Sequence, residues 1–245
     1  MKCIPGGEFI RGSNRVSIEE DTGKKIKDEA PIMKITLSTF FMDTNEVTYS
    51  DYQKCVKAGG CSKAGPHYRG YSNSNQPMLG LNWYQARDYC KWKGKRLPTE
   101  SEWEKAARGT EGEEFPWGND PITCEKAIIQ EKGQKGCGLG TTHDVASRPA
   151  FRYGLYDMAG NSWEWVNDWY SEDYETCGEN CKKKDPQGPC EGVDDCPGYN
   201  KKIVRGGSWW WDGEFALGSN RRSHFPSNSP YHHFGFRCAK MFFLK

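Results

Sequence analysis

A chain of 245 residues with a formal net charge of +1 presents no basic stripe and no RNA-binding motif, so nucleic acid is not an expected partner. No apolar run approaches the length of a membrane span, and no internal repeat or low-complexity linker divides the chain. Residues 1–245 therefore read as a single domain with long loops.

The opening Met1-Lys2-Cys3 runs straight into strand-like sequence. It reads as a trimmed mature segment whose targeting signal, a possible surface anchor, has been removed. Ile4–Phe9 and Met33–Phe41 are predicted strands, separated by a charged loop that ends at Pro31. A first helix is expected after Thr48, with Tyr52, Cys55 and Val56 on one face and a stop at Gly59-Gly60. Residues 62–80 are loop by composition. Asn82 can cap a second helix, lined by Ala86, Tyr89, Cys90 and Lys93 and ended by Gly94. Thr99 and Glu102 form a capping box for a third, running to Arg108-Gly109 with Trp103, Ala106 and Ala107 inward.

Residues 110–150 look irregular. Tyr153–Tyr170 is dense in aromatics around a Gly-Asn turn flanked by Asp157 and Glu164. Such a turn can offer a hard cation carboxylates and backbone carbonyls. Residues 171–200 read as a loop clipped by cysteines. The chain has eleven cysteines, many of them in close pairs: Cys55/Cys61, Cys124/Cys137, Cys177/Cys181 and Cys190/Cys196. Close pairs in loops favour disulfides and an exported, extracellular or cell-surface address. The alternative is a zinc site at Cys177, Cys181, Cys190 and Cys196, whose C-x3-C and C-x5-C spacings fall outside the tightest zinc patterns.

The last segment, Ile203–Cys238, begins and ends as plausible strands, with about thirty residues rich in Gly, Ser, Asn, Pro and aromatics between. It carries three consecutive tryptophans and three of the five histidines. That mixture is too polar for a core and too aromatic for an idle loop, so it reads as a displayed surface. Rigid aromatic area with adaptable polar contacts between is what a paratope uses. Trp210, Trp211, Phe215, Phe225 and Tyr231 are candidate anchors, and Asp212, His224, Ser227, Asn228, His232 and His233 candidate polar contacts, for a protein or other macromolecular ligand. His232 and His233 would face opposite sides of an extended strand, which argues against one metal site holding both.

In order along the chain stand IPGGEFIRGS, DTNEVTYSDY, LNWYQARDYCKWKGKRLPTESEWEKAARG, FPWGN, YGLYDMAGNSWEWVNDWY, VRGGSW and GFRC. Together they resemble the formylglycine-generating-enzyme type of domain, a variant of the C-type lectin fold. The resemblance implies a loop-rich α+β domain and a disulfide between Cys90 and Cys238, besides the Cys55–Cys61 pair. It also implies calcium at the turn, held by Asp157 and Glu164 side chains and by backbone oxygens of Gly160 and Ser162.

One departure bears on activity. Two cysteines after the family's RGGS motif bind copper; counted from Arg205 without gaps, those places are Trp211 and Ala216. Thiol-bound copper(I) needs soft ligands that indole and methyl groups do not supply, so the chain is not expected to be that enzyme. The resemblance then favours the non-catalytic branch, the variable proteins of diversity-generating retroelements, with residues 203–238 as the variable region. That branch varies Asn-type codons, which cannot reach Lys, Gln, Met, Glu or Trp. The segment has no Lys, Gln or Met, where average usage predicts roughly five, while Glu214 and the tryptophans would have to be invariant or come from other codons.

Overall fold

The structure, a computed structural model, describes residues 1–18, 24–228 and 232–242. Strand β1 (Lys2–Ile4) stops at Pro5, which has no amide to donate, and Gly6 N–H turns to the Thr39 hydroxyl at 3.0 Å. β2 (Gly7–Arg11) then starts in a new direction, so the strand expected over Ile4–Phe9 is two. A ribbon of β3 (Ser17–Ile18) and β4 (Lys25–Ile26) follows. Met33–Phe41 also divides, into β5 (Met33–Leu37) and β6 (Phe40–Met42), because Asp185 takes the amide and hydroxyl of Ser38 at the break.

Helices α1 (Tyr49–Lys57), α2 (Trp83–Trp92) and α3 (Glu100–Arg108) start where capping chemistry puts them. Thr48 Oγ1 accepts Asp51 N–H, while Asn82–Gln85 and Thr99–Glu102 each close a reciprocal capping box. Gly109 ends α3 at φ +72°, a conformation that a side chain would strain. After a long irregular stretch come β7 (Trp163–Trp169), β8 (Lys202–Arg205), β9 (Arg221–His224), β10 (Phe234–Gly235) and β11 (Ala239–Met241).

Three antiparallel strands join the two ends of the described chain in the order β1-β6-β11, and β2 pairs with β5. The sheet behind the C-terminal segment runs β10-β7-β8-β9. Strands at the two ends of Ile203–Cys238 are thus not neighbours: β7 lies between them, antiparallel to β8 and parallel to β10. One core cluster joins α1, α2 and this sheet through Tyr52, Trp83, Tyr89, Trp165, Phe234 and Phe236; a second joins α3 to β2, β5 and β6 through Trp103, Phe9, Leu37 and Phe40. Each large side chain so buried contributes roughly 1.5–3 kcal/mol.

Ten cysteines form five disulfides: Cys55–Cys61, Cys90–Cys238, Cys124–Cys137, Cys177–Cys181 and Cys190–Cys196. The four thiols weighed as a zinc set are therefore two disulfides. Cys3 is exposed and unpaired on β1.

Candidate functional site

Helix α3 was expected to bury one face, yet all nine of its residues are buried. Its polar side chains meet cations from distant parts of the chain. Glu104 accepts Arg205 Nη2 at 2.6 Å, Arg108 Nη1 at 2.6 Å and Gly12 N–H at 2.7 Å. Burial pulls the Glu104 carboxyl upward, but Arg205 and Arg108 outweigh it and hold the group below the usual carboxylate range. Glu100 Oε1 accepts Arg221 Nε at 2.7 Å and Arg205 Nη1 at 3.2 Å. Both arginines also donate to backbone carbonyls: Arg205 to Gly218 and Ser219, Arg221 to Asp28. Charge-assisted bonds of this kind fix β8, β9 and the loop between them onto α3.

On that platform the C-terminal segment is less uniformly displayed than its composition suggests. Asp212, Phe225 and Ser227 are exposed; Trp210, Trp211, Phe215, Asn228, His232 and His233 are half-buried. Tyr231 lies outside the described residues. His224 is buried, because β9 turns it inward against Phe234 (ring centroids 4.5 Å apart), and its Nε2 meets Arg222 Nε at 2.9 Å. It is not a surface contact. Trp209 is core, its indole N–H donating to the His232 carbonyl at 3.1 Å.

The expected single patch is two neighbouring groups. Trp210 stands edge-on to His232, with centroids 5.8 Å apart, and 6.1 Å from His233. The two imidazoles lie side by side, 4.3 Å apart, because the chain turns there and is not extended. Burial pushes the imidazoles of His224 and His233 down to about 3, with Arg222 lowering the first further and His232 the second. They act as neutral groups at physiological pH. Trp211 instead packs on Phe215 at 5.3 Å and under the Arg222 guanidinium, also at 5.3 Å. Ala216 is buried, in a cluster with Ala127, Ile129 and Ala159.

Next to Phe215 opens a cleft of about 340 Å³. Its far wall, absent from the sequence-based expectations, is made by Arg15, Val16, Ser17, Ile26, Asp28 and Glu29, on and beside the β3–β4 ribbon. Its near wall is Trp163, Tyr170, Phe215 and the outer edge of β9. The only hint in the sequence was the charge of that loop before Pro31.

At the 157–164 turn, Asp157 and Asn161 both take positive φ (+56° and +58°), and the Gly160 position lies against the Ile128 carbonyl, leaving no room for a side chain. Glu164 is fully buried, with Oε1 on Arg237 Nη2 at 2.7 Å and Oε2 on Trp103 Nε1 at 2.8 Å and Arg237 Nε at 2.8 Å. Ser162 and Asn161 donate their side chains to Glu46, at 2.5 and 2.8 Å, a buried acid that sequence reasoning missed. Burial, then Asp157 and Glu164, push Glu46 well above the usual carboxylate range, and burial lifts Asp157 to about 6. Among the described residues no three His, Cys, Asp or Glu side chains form a ready metal cage.

The fold and its parts have known counterparts. Formylglycine-generating enzyme of Mus musculus is 28% identical over 98% of this chain and 74% of its own length. A "Serine/threonine-protein kinase pkn1" of Chlamydia pneumoniae is 34% identical over 98% of this chain, which spans only 38% of that relative. Among solved structures, PvdO from Pseudomonas aeruginosa superposes with a TM-score of 0.75 at 24% identity, covering 98% of this chain and 93% of that one. Treponema denticola variable protein 1 does so at 0.69 and 22%, covering 98% and 94%. These two likenesses concern the fold. A match over residues 1–242 to the sulfatase-modifying factor enzyme 1-like domain completes the case, and the chain belongs to that family.

Proposed function

We propose that this chain is a non-catalytic ligand-binding protein, exported or held at the cell surface, that presents its 203–238 segment as a variable binding face. The observation that carries the reading is the absence of sulfur where the family's copper ligands would stand. Trp211 and Ala216 occupy those places, and every cysteine except exposed Cys3 is in a disulfide. The disulfides support an oxidising compartment. The fold shared with a variable protein and the solvent-facing Asp212, Phe225 and Ser227, beside half-buried Trp210, support a surface built for recognition.

The test is direct. Protein loaded with copper(I) and offered a cysteine-bearing sulfatase-type peptide is expected to bind no stoichiometric metal and to form no aldehyde. Turnover would instead favour the rival, a formylglycine-generating-enzyme-like oxidoreductase. A near-copy of the DNA for residues 203–238, differing mainly at adenines and lying beside a reverse transcriptase, would support the variable-protein reading.

A structural calcium ion at the 157–164 turn belongs to the same proposal. Two buried carboxyls, Glu46 and Glu164, and half-buried Asp157 gather around the Arg237 guanidinium, with Arg148 also near Asp157, and this collection of acids suits a bound cation. Asp157 would ligate it with the backbone oxygens of Gly160 and Ser162, while Glu164 would share its oxygens with Arg237. Asp157→Ala is expected to lower the melting temperature in calcium and to change it little in chelator. A parent protein whose melting temperature ignores chelator would remove the ion from the account.

A further inference from the structure

We propose that the cleft between the β3–β4 ribbon and strand β9 is a receptor for an organic cation, an ammonium or guanidinium on a short apolar stem. The inference rests on the binding reading above and names the chemistry of its ligand.

The floor of the cleft holds two adjacent acids, Asp28 and Glu29, each only 1% exposed. One oxygen of each is engaged: Asp28 Oδ2 accepts the Tyr170 hydroxyl at 3.2 Å, and Glu29 Oε1 accepts the Ser17 hydroxyl at 3.3 Å. The second oxygens, Asp28 Oδ1 and Glu29 Oε2, are buried and meet no donor among the described residues. Buried carboxylate oxygens without donors are costly, so their survival at the bottom of a cavity points to a donor supplied from outside.

The nearest internal cation does not serve them. Arg221 borders the same cleft, but its Nε goes to Glu100 and its Nη1 to the backbone oxygens of Asp28 and Ser171. Arg15, at the rim, reaches Glu114 at 3.3 Å. Burial lifts the Asp28 carboxyl to about 6, with Arg221 partly opposing it. An arriving ammonium or guanidinium would supply the donor these oxygens lack, in the strong charge-assisted form of hydrogen bond.

The walls fit the rest of such a molecule. Val16, Ile26, Phe215 and Leu217 offer apolar contact to a stem of a few carbons, and Tyr170 offers an aromatic ring beside the acids. A volume of about 340 Å³ is at the small end of ligand sites, the size of one amino-acid side chain with its neighbours. Basic residues at the mouth, Arg15, Lys201 and Arg222, are the competing signal, since they would suit an anion. Depth decides between them. A charge met on the floor acts in a lower dielectric than one met at a solvated rim, so the buried acids set the sign of the preferred guest.

Calorimetric titration of the full chain with butylammonium, butylguanidinium and butyrate tests the sign of charge. The cations are expected to bind and butyrate not to. Asp28→Asn is expected to weaken cation binding by about tenfold or more, as loss of a buried charged partner does. Val16→Trp at the exposed rim should block the cleft without touching the core, keeping the test sound if the Asp28 variant folds poorly. Nα-acetyl-arginine amide separates the sources: binding as strong as butylguanidinium assigns the site to a basic side chain of a protein ligand, and much weaker binding to a free small amine. Preference for butyrate, or cation binding unchanged in both variants, overturns the inference. Either result would leave the copper test of the non-catalytic reading untouched.

Discussion

Replacing Cys90 and Cys238 together by alanine is expected to cost about 5 kcal/mol of stability, the largest effect of any disulfide in the chain. The bridge spans 148 residues and ties α2 to the segment just before β11. Both cysteines are fully buried, beside Tyr89 and Phe236, whose rings meet edge-on at 5.3 Å. Cross-linking such distant residues removes many conformations from the unfolded chain, and the cost scales with the logarithm of the loop. The same relation gives only about 2 kcal/mol for Cys177–Cys181, which spans four residues. Urea unfolding of the two double-alanine variants, with the other bridges kept oxidised, measures the difference. Equal losses would mean that the long bridge does not act through the unfolded state.

Glu104→Gln is expected to cost about 3–5 kcal/mol, although it changes one atom. The side chain keeps its shape, but Arg205 and Arg108 lose the anion that both contact at 2.6 Å. Arg205 is fully exposed to that loss, being completely buried with only Glu100 left as a counter-charge. The pH dependence has a definite sign. Glu104 titrates below its ordinary range when folded, so its contribution is present above the unfolded value and is lost as acid protonates the folded carboxylate. Glu104→Gln should therefore flatten the acid limb of the stability curve. Adding Arg205→Met to Glu104→Gln should cost less than the sum of the two single changes, since the second change removes a cation already stranded by the first. Strict additivity would show that the two groups do not act as a pair.

Much of the local structure was legible because its causes are local. The capping pairs Thr48/Asp51, Asn82/Gln85 and Thr99/Glu102 lie within one turn, and each helix starts where they put it. The close cysteine pairs are found as disulfides for the same reason. What escaped were features whose partners are far apart in sequence. Helical periodicity assigned α3 a polar outer face, since nothing near Glu100 or Glu104 reveals that Arg205 and Arg221 will cover them, 101 to 121 residues later. Strand breaks at Gly6 and Ser38 depend on Thr39 and Asp185 in the same way. The cleft needs the ribbon at one end of the chain and β9 at the other, so no single window of sequence contains it. His224 was misread as a surface group because composition marked the whole segment between its end strands as displayed, whereas β9 forms within it and turns His224 inward.

The arrangement β1-β6-β11 has a bearing on how such a domain can be built into other proteins. Lys2 and Ala239 both lie opposite Met42, and Ile4 and Met241 both lie opposite Phe40. The first and last strands therefore run parallel, two strand spacings apart, which is about 10 Å. Entry and exit points are close, so the domain can be spliced into a loop of a host polypeptide, or its ends joined and reopened elsewhere, with a linker of only a few residues. Strands β8, β9 and β10 of the 203–238 segment belong to the other, four-stranded sheet. Grafting and circular permutation are thus expected to leave the proposed binding face intact, so that a domain of this kind could be carried as a display scaffold.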